Sequence, residues 1–251
     1  MNRVTISLLT LVFFIGCGSS SSDNPTQQEE NKTLDFNQTN AKYDLNNYLQ
    51  VNSVVTYKLS NYVNNSGKKE YVETTKVETY PSQTNKRQSD VITITDENNI
   101  ETGSIKILKN KFERISKDNN ESIKFDVVRH FNIGKYITNS TMNQKISNAT
   151  VKLNRLCKAT SILESKIYSG RTYKDLLEIK CNTTSTLISN NALTTKANIE
   201  KSELIYMAKE KGIIYNKNES CTAVTNVTLG QENETKVCKK SIQEIISFTK
   251  S

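Results

Sequence analysis

Short runs in which apolar and polar residues alternate recur from Tyr43 onward, and they constrain the fold more than any other feature. They have the period of a β-strand, in which successive side chains point to opposite faces. Polar, turn-forming clusters separate them. The clearest runs are 54–59, 71–80, 91–95, 104–108 and 123–128. The pattern predicts a mainly β, single antiparallel domain over residues 43–251, with few short helices, one of them within 44–49.

The N-terminus carries the pattern of an export signal that ends in a cysteine. Arg3 gives a positive start, and residues 4–15 form an apolar stretch too short to cross a bilayer, which needs about 20 helical residues. The tetrapeptide that ends in Gly16 and Cys17 resembles the lipobox of bacterial lipoproteins. In those proteins the cysteine receives a diacylglyceryl thioether and becomes the acylated N-terminus after cleavage. The resemblance implies a signal peptide over 1–16 and lipidation, with palmitate-type acyl chains, at Cys17.

The segment that follows Cys17 is polar and has no periodic pattern. Residues 18–42 are rich in Ser, Asn, Gln, Thr and Glu, so they cannot bury enough apolar surface to fold alone. We therefore predict a disordered tether over 17–42, with the folded domain beginning near Tyr43. About 25 residues of flexible coil span roughly 25–30 Å on average.

Four further cysteines fit an exported protein, because an even number in an oxidising compartment indicates disulfides. They are Cys157, Cys181, Cys221 and Cys238. Four cysteines permit three pairings, and hairpin register favours one of them. An odd-length loop centred on Ser169 would place Cys157 opposite Cys181. A second hairpin, turning within 229–232, would pair Cys221 with Cys238.

Composition argues against most other classes of site. The formal net charge is +8, but the basic residues are scattered singly with few doublets, which predicts a solvated basic surface and no nucleic-acid partner. We expect no metal site, because the chain has one histidine and no CxxC pair. With 8 glycines it offers no phosphate-binding loop, and no cofactor is expected. His130 is predicted to be structural or superficial, and no nucleophile motif accompanies it, so we expect no enzyme and no catalytic residues.

Three asparagine sequons have an acidic residue two positions before the asparagine. They are centred on Asn31, Asn37 and Asn120. The extended pattern resembles the acceptor of some bacterial N-glycosylation systems. These three asparagines are candidate modification sites in a host that possesses the enzyme.

Two segments of the chain are similar to a recurring pattern of bacterial lipoproteins that have no established activity. The first runs from Tyr173 to Ile179 (YKDLLEI) and the second from Ile205 to Ile214 (IYMAKEKGII). The start YLQV…TY, from Tyr48, resembles the opening of the same pattern, although this chain lacks its tryptophan. The resemblance covers roughly 48–215. It implies a curved, half-barrel-like antiparallel sheet, loosely like lipoprotein carriers.

These observations lead to one leading hypothesis and two alternatives. The leading one is a lipid-anchored lipoprotein of the periplasm or outer membrane that acts as a non-enzymatic binding or structural module. Gly18 after the cysteine favours the outer membrane under the sorting rule of enteric bacteria. The first alternative is a carrier or chaperone for a lipid-like ligand or envelope component. The second is a hydrolase, which would have to use His130.

Overall fold

The computed structural model describes residues 34–38, 40–50, 52–65, 68–80, 91–118, 121–146, 149–189, 195–228 and 231–250. The predicted signal peptide, Cys17, Asn31 and Asn120 lie outside these residues. The described part of the chain consists mainly of β-strands.

The described residues form fourteen strands and one short 3-10 helix, Leu45–Tyr48. In the first half of the chain the strands are β1 (Tyr43–Asp44), β2 (Ser53–Asn65), β3 (Lys68–Tyr80), β4 (Val91–Thr95), β5 (Glu101–Ile107), β6 (Lys111–Asp118) and β7 (Glu121–Val128). In the second half they are β8 (His130–Phe131), β9 (Tyr136–Ile146), β10 (Ala149–Tyr168), β11 (Arg171–Ser189), β12 (Thr195–Ala208), β13 (Gly212–Thr228) and β14 (Gln231–Lys250).

Twelve of the strands form one antiparallel sheet made of two meanders. The order is β7-β6-β5-β4-β3-β2-β14-β13-β12-β11-β10-β9, so the last strand, β14, returns to pair with β2 and joins the two meanders. The two edge strands, β7 and β9, lie close to each other, and the sheet is therefore nearly a barrel. The small pair β1 and β8 lies apart from it. The prediction of a mainly β, curved antiparallel sheet is confirmed.

The alternating runs in the sequence predicted every strand of the first meander except one. The five predicted runs lie in β2, β3, β4, β5 and β7. The polar cluster after β4 forms a turn that is closed by the side chain of Asp96, which accepts hydrogen bonds from the backbone of Asn98 and Ile100 at 2.8 and 2.9 Å. The omitted strand is β6. In its sequence KFERISKD five of the eight residues are charged, and the two apolar residues, Phe112 and Ile115, lie in opposite phases, so no apolar phase is visible.

Both cysteine pairs have the pairing that hairpin register predicted. The Sγ atoms of Cys157 and Cys181 lie 2.14 Å apart, and those of Cys221 and Cys238 lie 2.06 Å apart. The members of each pair stand directly opposite each other on adjacent strands. By strand alternation the first bridge lies on the inward face of the sheet and the second on the outward face.

The turn of the β10–β11 hairpin differs from the prediction. Instead of an odd-length loop, Ser169 and Gly170 make a two-residue turn in which φ is 47° and 73°, both left-handed, as hairpin twist favours. The odd residue is supplied by a β-bulge on β10, where the register shifts between Ala159 and Ser161. The bulge brings Cys157 opposite its partner.

The end of this hairpin crosses over the neighbouring strands. Asp175 adopts φ 52°, a conformation that Asp tolerates better than most residues, and interrupts the β11 ladder there. Beyond this bend, Tyr168 stacks on Tyr215 of β13 with ring centroids 4.9 Å apart. The backbone N–H of Ser169 donates to Glu244 of β14 at 2.7 Å. The hairpin therefore covers the outward face of β12–β14 at this end.

The packed domain begins earlier than the boundary predicted at Tyr43. Leu34 and Phe36 are partly buried against the hydrophobic core, and the backbone N–H of Lys42 donates to Asn132 Oδ1 at 3.0 Å. These contacts correct the tether prediction for residues 34–38 and 40–42. The sequence did not predict these contacts because the segment is mostly polar. Two apolar side chains at alternate positions are nevertheless enough to dock it.

The 3-10 helix seals the base of the sheet. Asp44 caps its N-terminus by accepting a hydrogen bond from the backbone of Asn46 at 2.8 Å, and Leu45 and Tyr48 are buried in the core. Among the described residues, no helix has the length and apolar character needed to span a bilayer.

Gly212 allows this N-terminal segment to dock on the turn between β12 and β13. Gly212 has φ 67°, and a Cβ at this position would lie 2.5 Å from the side chain of Gln50. Gln50 in turn donates to the hydroxyl of Tyr57 at 3.0 Å and to the backbone carbonyl of Lys211. A side chain at position 212 would therefore displace a buried, hydrogen-bonded glutamine.

We expect Gly212→Ala to lower the free energy of unfolding by about 2 kcal/mol or more, because it adds a steric clash to about 1–2 kcal/mol of left-handed strain. Gly170→Ala is the matched control, since φ there is 73° and no atom lies within 4 Å of the added Cβ. Urea denaturation with the disulfides intact measures both. Equal losses in the two variants would show that Gln50 does not pack on this turn.

Candidate functional site

The inward face of the sheet changes character along the strands. On β12 the inward residues run from Ile205 in the core through Glu203 and Lys201 to Ile199, which is buried but lies outside the main core. On β10 the same order is Cys157, Arg155, Leu153. The interior therefore has three layers: a packed apolar base, a charged middle and an apolar lining towards the far end of the strands.

The middle layer collects polar side chains from both meanders. Each of them lies on the inward face of its strand, the face that also carries residues of the buried core. We call them the inner polar cluster, which comprises Glu78, Arg114, Arg155, Lys201, Glu203, Asn216 and Asn218.

Glu203 is the most deeply buried charge of the cluster. Its side chain is 5% exposed and forms ion pairs with Lys201, at 2.8 Å, and with Arg155. Burial by itself would raise the pKa of the Glu203 carboxyl, but the charges of Arg155 and Lys201 outweigh it and lower that pKa to about 2. Glu203 is therefore ionised throughout the physiological range.

Arg155 links this ion cluster to the disulfide and to the opposite edge of the sheet. Its guanidinium lies 3.3 Å from Thr183 Oγ1, to which it donates, and 3.6 Å from Cys181 Sγ. The same group lies 5.5 Å from the ring centroid of Phe125 on the edge strand β7. Because β10 and β7 belong to opposite ends of the sheet, this contact spans the near-closure of the barrel.

A second carboxylate of the cluster lies on β3. Glu78 forms an ion pair with Lys76 at 2.6 Å and accepts a hydrogen bond from the Tyr80 hydroxyl at 2.8 Å. Burial would raise its pKa, but Lys76 and the hydrogen bonds outweigh that effect and lower it. Burial also raises the pKa of the hydroxyls of Tyr57 and Tyr80, so both remain neutral donors.

Two asparagines of β13 bring unpaired acceptors to the cluster. Asn218, which stands opposite Glu203 in the ladder, is 6% exposed, and its Oδ1 atom has no hydrogen-bond partner among the described residues. The Oδ1 atom of Asn216 is likewise buried and unpaired within the described part of the chain. A buried unpaired polar group costs about 1–3 kcal/mol, so this layer is not arranged for stability alone.

The third layer is mainly apolar, and its apolar side chains other than Ile199 are half-buried. Its members share the inward phase and lie beyond the inner polar cluster when counted from the core. We call it the distal apolar lining, which comprises Val151, Leu153, Leu187, Ala197, Ile199 and Val224. These residues do not belong to the main core or to the side chains packed on it. They give the interior a second hydrophobic surface.

His130 does not stand in a catalytic arrangement with the groups around it. Its Nδ1 atom lies 3.9 Å from Asp44, and Arg129 already binds that carboxylate through two nitrogens at 3.0 to 3.2 Å. Burial would raise the pKa of Asp44, but the hydrogen bonds from Arg129 and from the backbone of Asn46 lower it. Asp44 thus serves as a helix cap and ion-pair partner.

Of the three candidate glycosylation sites, Asn37 lies in the described residues. It is exposed in a turn where its backbone N–H donates to Asp35 at 2.9 Å. Its side-chain oxygen accepts a hydrogen bond from Asn110 at 2.6 Å. The side chain is accessible but would have to leave Asn110 to be modified.

A separate groove of about 320 Å³ lies near the ends of β2 and β3. The exposed rings of Tyr62 and Tyr71, with centroids 4.8 Å apart, line it, and Lys240 lies 5.6 Å from the Tyr62 ring centroid. This outer groove is the alternative place for an apolar ligand.

In the described ranges, no group of three or more His, Cys, Asp or Glu side chains is placed to hold a metal ion.

The sequence analysis did not predict the inner polar cluster. Its signal was the run from Ile199 to Ile205, in which Lys201 and Glu203 occupy the phase of the two flanking isoleucines. Charged residues in an apolar phase indicate either an interior ion cluster or an error of register.

Comparison with known proteins adds little to this geometry. No protein-family model matches the chain, and no curated protein matches it. Among solved structures, it is similar to OmpT (in-vitro folded), an outer membrane protein of Vibrio cholerae, with 6% identity and a TM-score of 0.22 over 78% of this chain and 98% of that chain. A likeness at this level carries no argument about function.

We expect Glu203→Gln to destabilise the protein by about 3 kcal/mol at neutral pH, because removing one partner of a buried ion cluster leaves the others uncompensated. Glu200→Gln, on the same strand but exposed, should change stability by less than about 0.5 kcal/mol. Guanidinium unfolding of the oxidised protein measures both. Indistinguishable midpoints for the two variants would mean that Glu203 faces water.

Proposed function

We propose that the protein is a lipid-anchored lipoprotein of the cell envelope whose β domain is a non-enzymatic binding module. The observation that carries this proposal is the inner polar cluster. Replacing a buried ion pair by apolar side chains of similar volume often stabilises a protein, so a charged layer between two apolar ones is better suited to recognition than to stability. The ligand site is the interior of the sheet.

A carrier of a lipid-like ligand is the second candidate, and the distal apolar lining favours it. An apolar surface beside a few polar groups is the usual composition of a small-molecule site. On β10 and β12 the lining follows the polar layer at the next inward position. A carrier would release its ligand to a partner, whereas a simple binding module would retain it.

The hydrolase alternative has less support. It would need His130 as a general base, and Arg129 already occupies the carboxylate that His130 approaches. We expect no catalytic activity, no cofactor and no nucleic-acid partner.

The anchor proposal rests on Cys17 and predicts that Cys17→Ala abolishes lipidation, because the thioether requires that sulfur. A clickable palmitate analogue fed to expressing bacteria should label the wild type and not the variant. Ser20→Ala, three positions away, should label normally. Equal labelling of Cys17→Ala would contradict the anchor.

The same wild-type preparation tests the binding module. Native mass spectrometry of protein extracted from the envelope should show a species heavier than the acylated chain. On denaturation this species should lose its ligand, and its mass should fall to that of the acylated chain alone. A bare mass under both native and denaturing conditions would contradict the proposed binding function.

A further inference from the structure

Arg114 is the cation of the inner polar cluster that makes no close ion pair with a described side chain. It points inward, in phase with the buried Phe112 on β6, yet its own side chain is exposed. Among the described residues it has no ion-pair or hydrogen-bond partner, whereas Lys76, Arg155 and Lys201 each bind a carboxylate. The charge of Arg114 helps to lower the pKa of Glu78 from nearby, but its N–H donors have no acceptor among the described residues and are available to an anion.

The charge balance of the polar layer also favours an anion. Five inward cations and three inward carboxylates lie on the described strands, which leaves an excess of two positive charges in a partly enclosed space. The cations are Lys76, Arg114, Arg155, Lys201 and Lys239, and the carboxylates are Glu70, Glu78 and Glu203. Low-dielectric walls strengthen the attraction of such a site for negative charge.

A second, independent observation also indicates a polar ligand group in this layer. Asn218, more than nine-tenths buried and opposite Glu203, has an amide oxygen without a partner in the described part of the chain. Its carboxamide carries both donors and an acceptor, so it can serve a headgroup that brings oxygen atoms or hydroxyl groups.

The apolar neighbours of the cluster extend the site. On β10, Leu153 follows Arg155 by one inward position, and on β12, Ile199 follows Lys201 in the same way. A hydrocarbon chain attached to a group at the cluster would therefore lie along the distal apolar lining. Polar and apolar surfaces in this order match an amphiphile rather than a small ion.

We propose that the interior binds an anionic amphiphile, with its carboxylate or phosphate headgroup on the Arg114 guanidinium and its hydrocarbon chain along the distal apolar lining. This inference rests on the proposed binding function and names its ligand class. The guanidinium fork suits both headgroups, because it donates parallel hydrogen bonds to two oxygens.

The test uses the full 251-residue chain, unlipidated and refolded with both disulfides formed. A dansyl-labelled fatty acid reports binding by fluorescence, and dodecanoate, dodecyl phosphate and dodecanol compete for it. We expect the two anions to compete and the alcohol to be at least about ten-fold weaker, as expected for loss of a charge-assisted hydrogen bond. The stronger of the two anions identifies the headgroup.

Arg114→Gln should weaken both anions about ten-fold and leave the alcohol unchanged. Its exposed, unpaired side chain makes the variant expected to fold, which an unchanged thermal transition verifies. Lys106→Gln is the matched control, because it removes an exposed positive charge from the outward face of the neighbouring strand β5.

Each remaining outcome overturns the inference. Equal affinities of Arg114→Gln and the wild type for the two anions would show that the headgroup does not bind Arg114. Equal competition by the alcohol would mean that the apolar lining binds alone, which leaves the proposed binding function intact. Loss of all binding in Tyr71→Ala would place the probe in the outer groove. Absence of binding by every probe, beside a ligand retained in native mass spectrometry, would exclude anionic amphiphiles but not a binding module.

Discussion

The arrangement of the interior depends on the ion cluster in which Glu203 lies between Arg155 and Lys201. A carboxylate that is 5% exposed loses most of its hydration, and the loss is tolerable only because two cations compensate it. The cluster fixes β10 and β12 across β11, beside the Cys157–Cys181 bridge. Since Arg155 also contacts Phe125 of β7, the burial of one charge is tied to the curling of the whole sheet.

The proposed binding function depends on the layers of the inward face of the curled sheet. At the base, the 3-10 helix and the segment that contains Phe36 pack against the hydrophobic core. Above it lie charges that form close ion pairs with one another, and beside them Arg114, which makes no close ion pair among the described residues. The lining beyond is apolar but incompletely buried, which suits transient contact with a hydrocarbon chain. Together the layers would orient an amphiphile with its headgroup inward.

The sequence revealed strands and cysteine pairing well because both depend on local pattern. Alternation is visible within a few residues. Cysteine pairing across a hairpin needs only a turn located midway between the two cysteines. The bulge that places Cys157 opposite its partner was not visible, because a single inserted residue leaves no compositional trace. Docking of Leu34 and Phe36 depends on a surface formed by distant strands. The role proposed for Arg114 likewise depends on the near-closure of the sheet. From the sequence alone, an arginine in an alternating strand is expected to face solvent.

The most direct test of this account is an NMR titration of the Glu203 carboxyl, followed through its side-chain carbonyl carbon in the oxidised protein. A buried carboxylate between two cations is expected to titrate with a pKa of about 2, so its signal should stay in the ionised position as the pH falls through the usual range of glutamate. Titration near the unperturbed value of about 4.3 would show a hydrated side chain on an open sheet and contradict the charged interior.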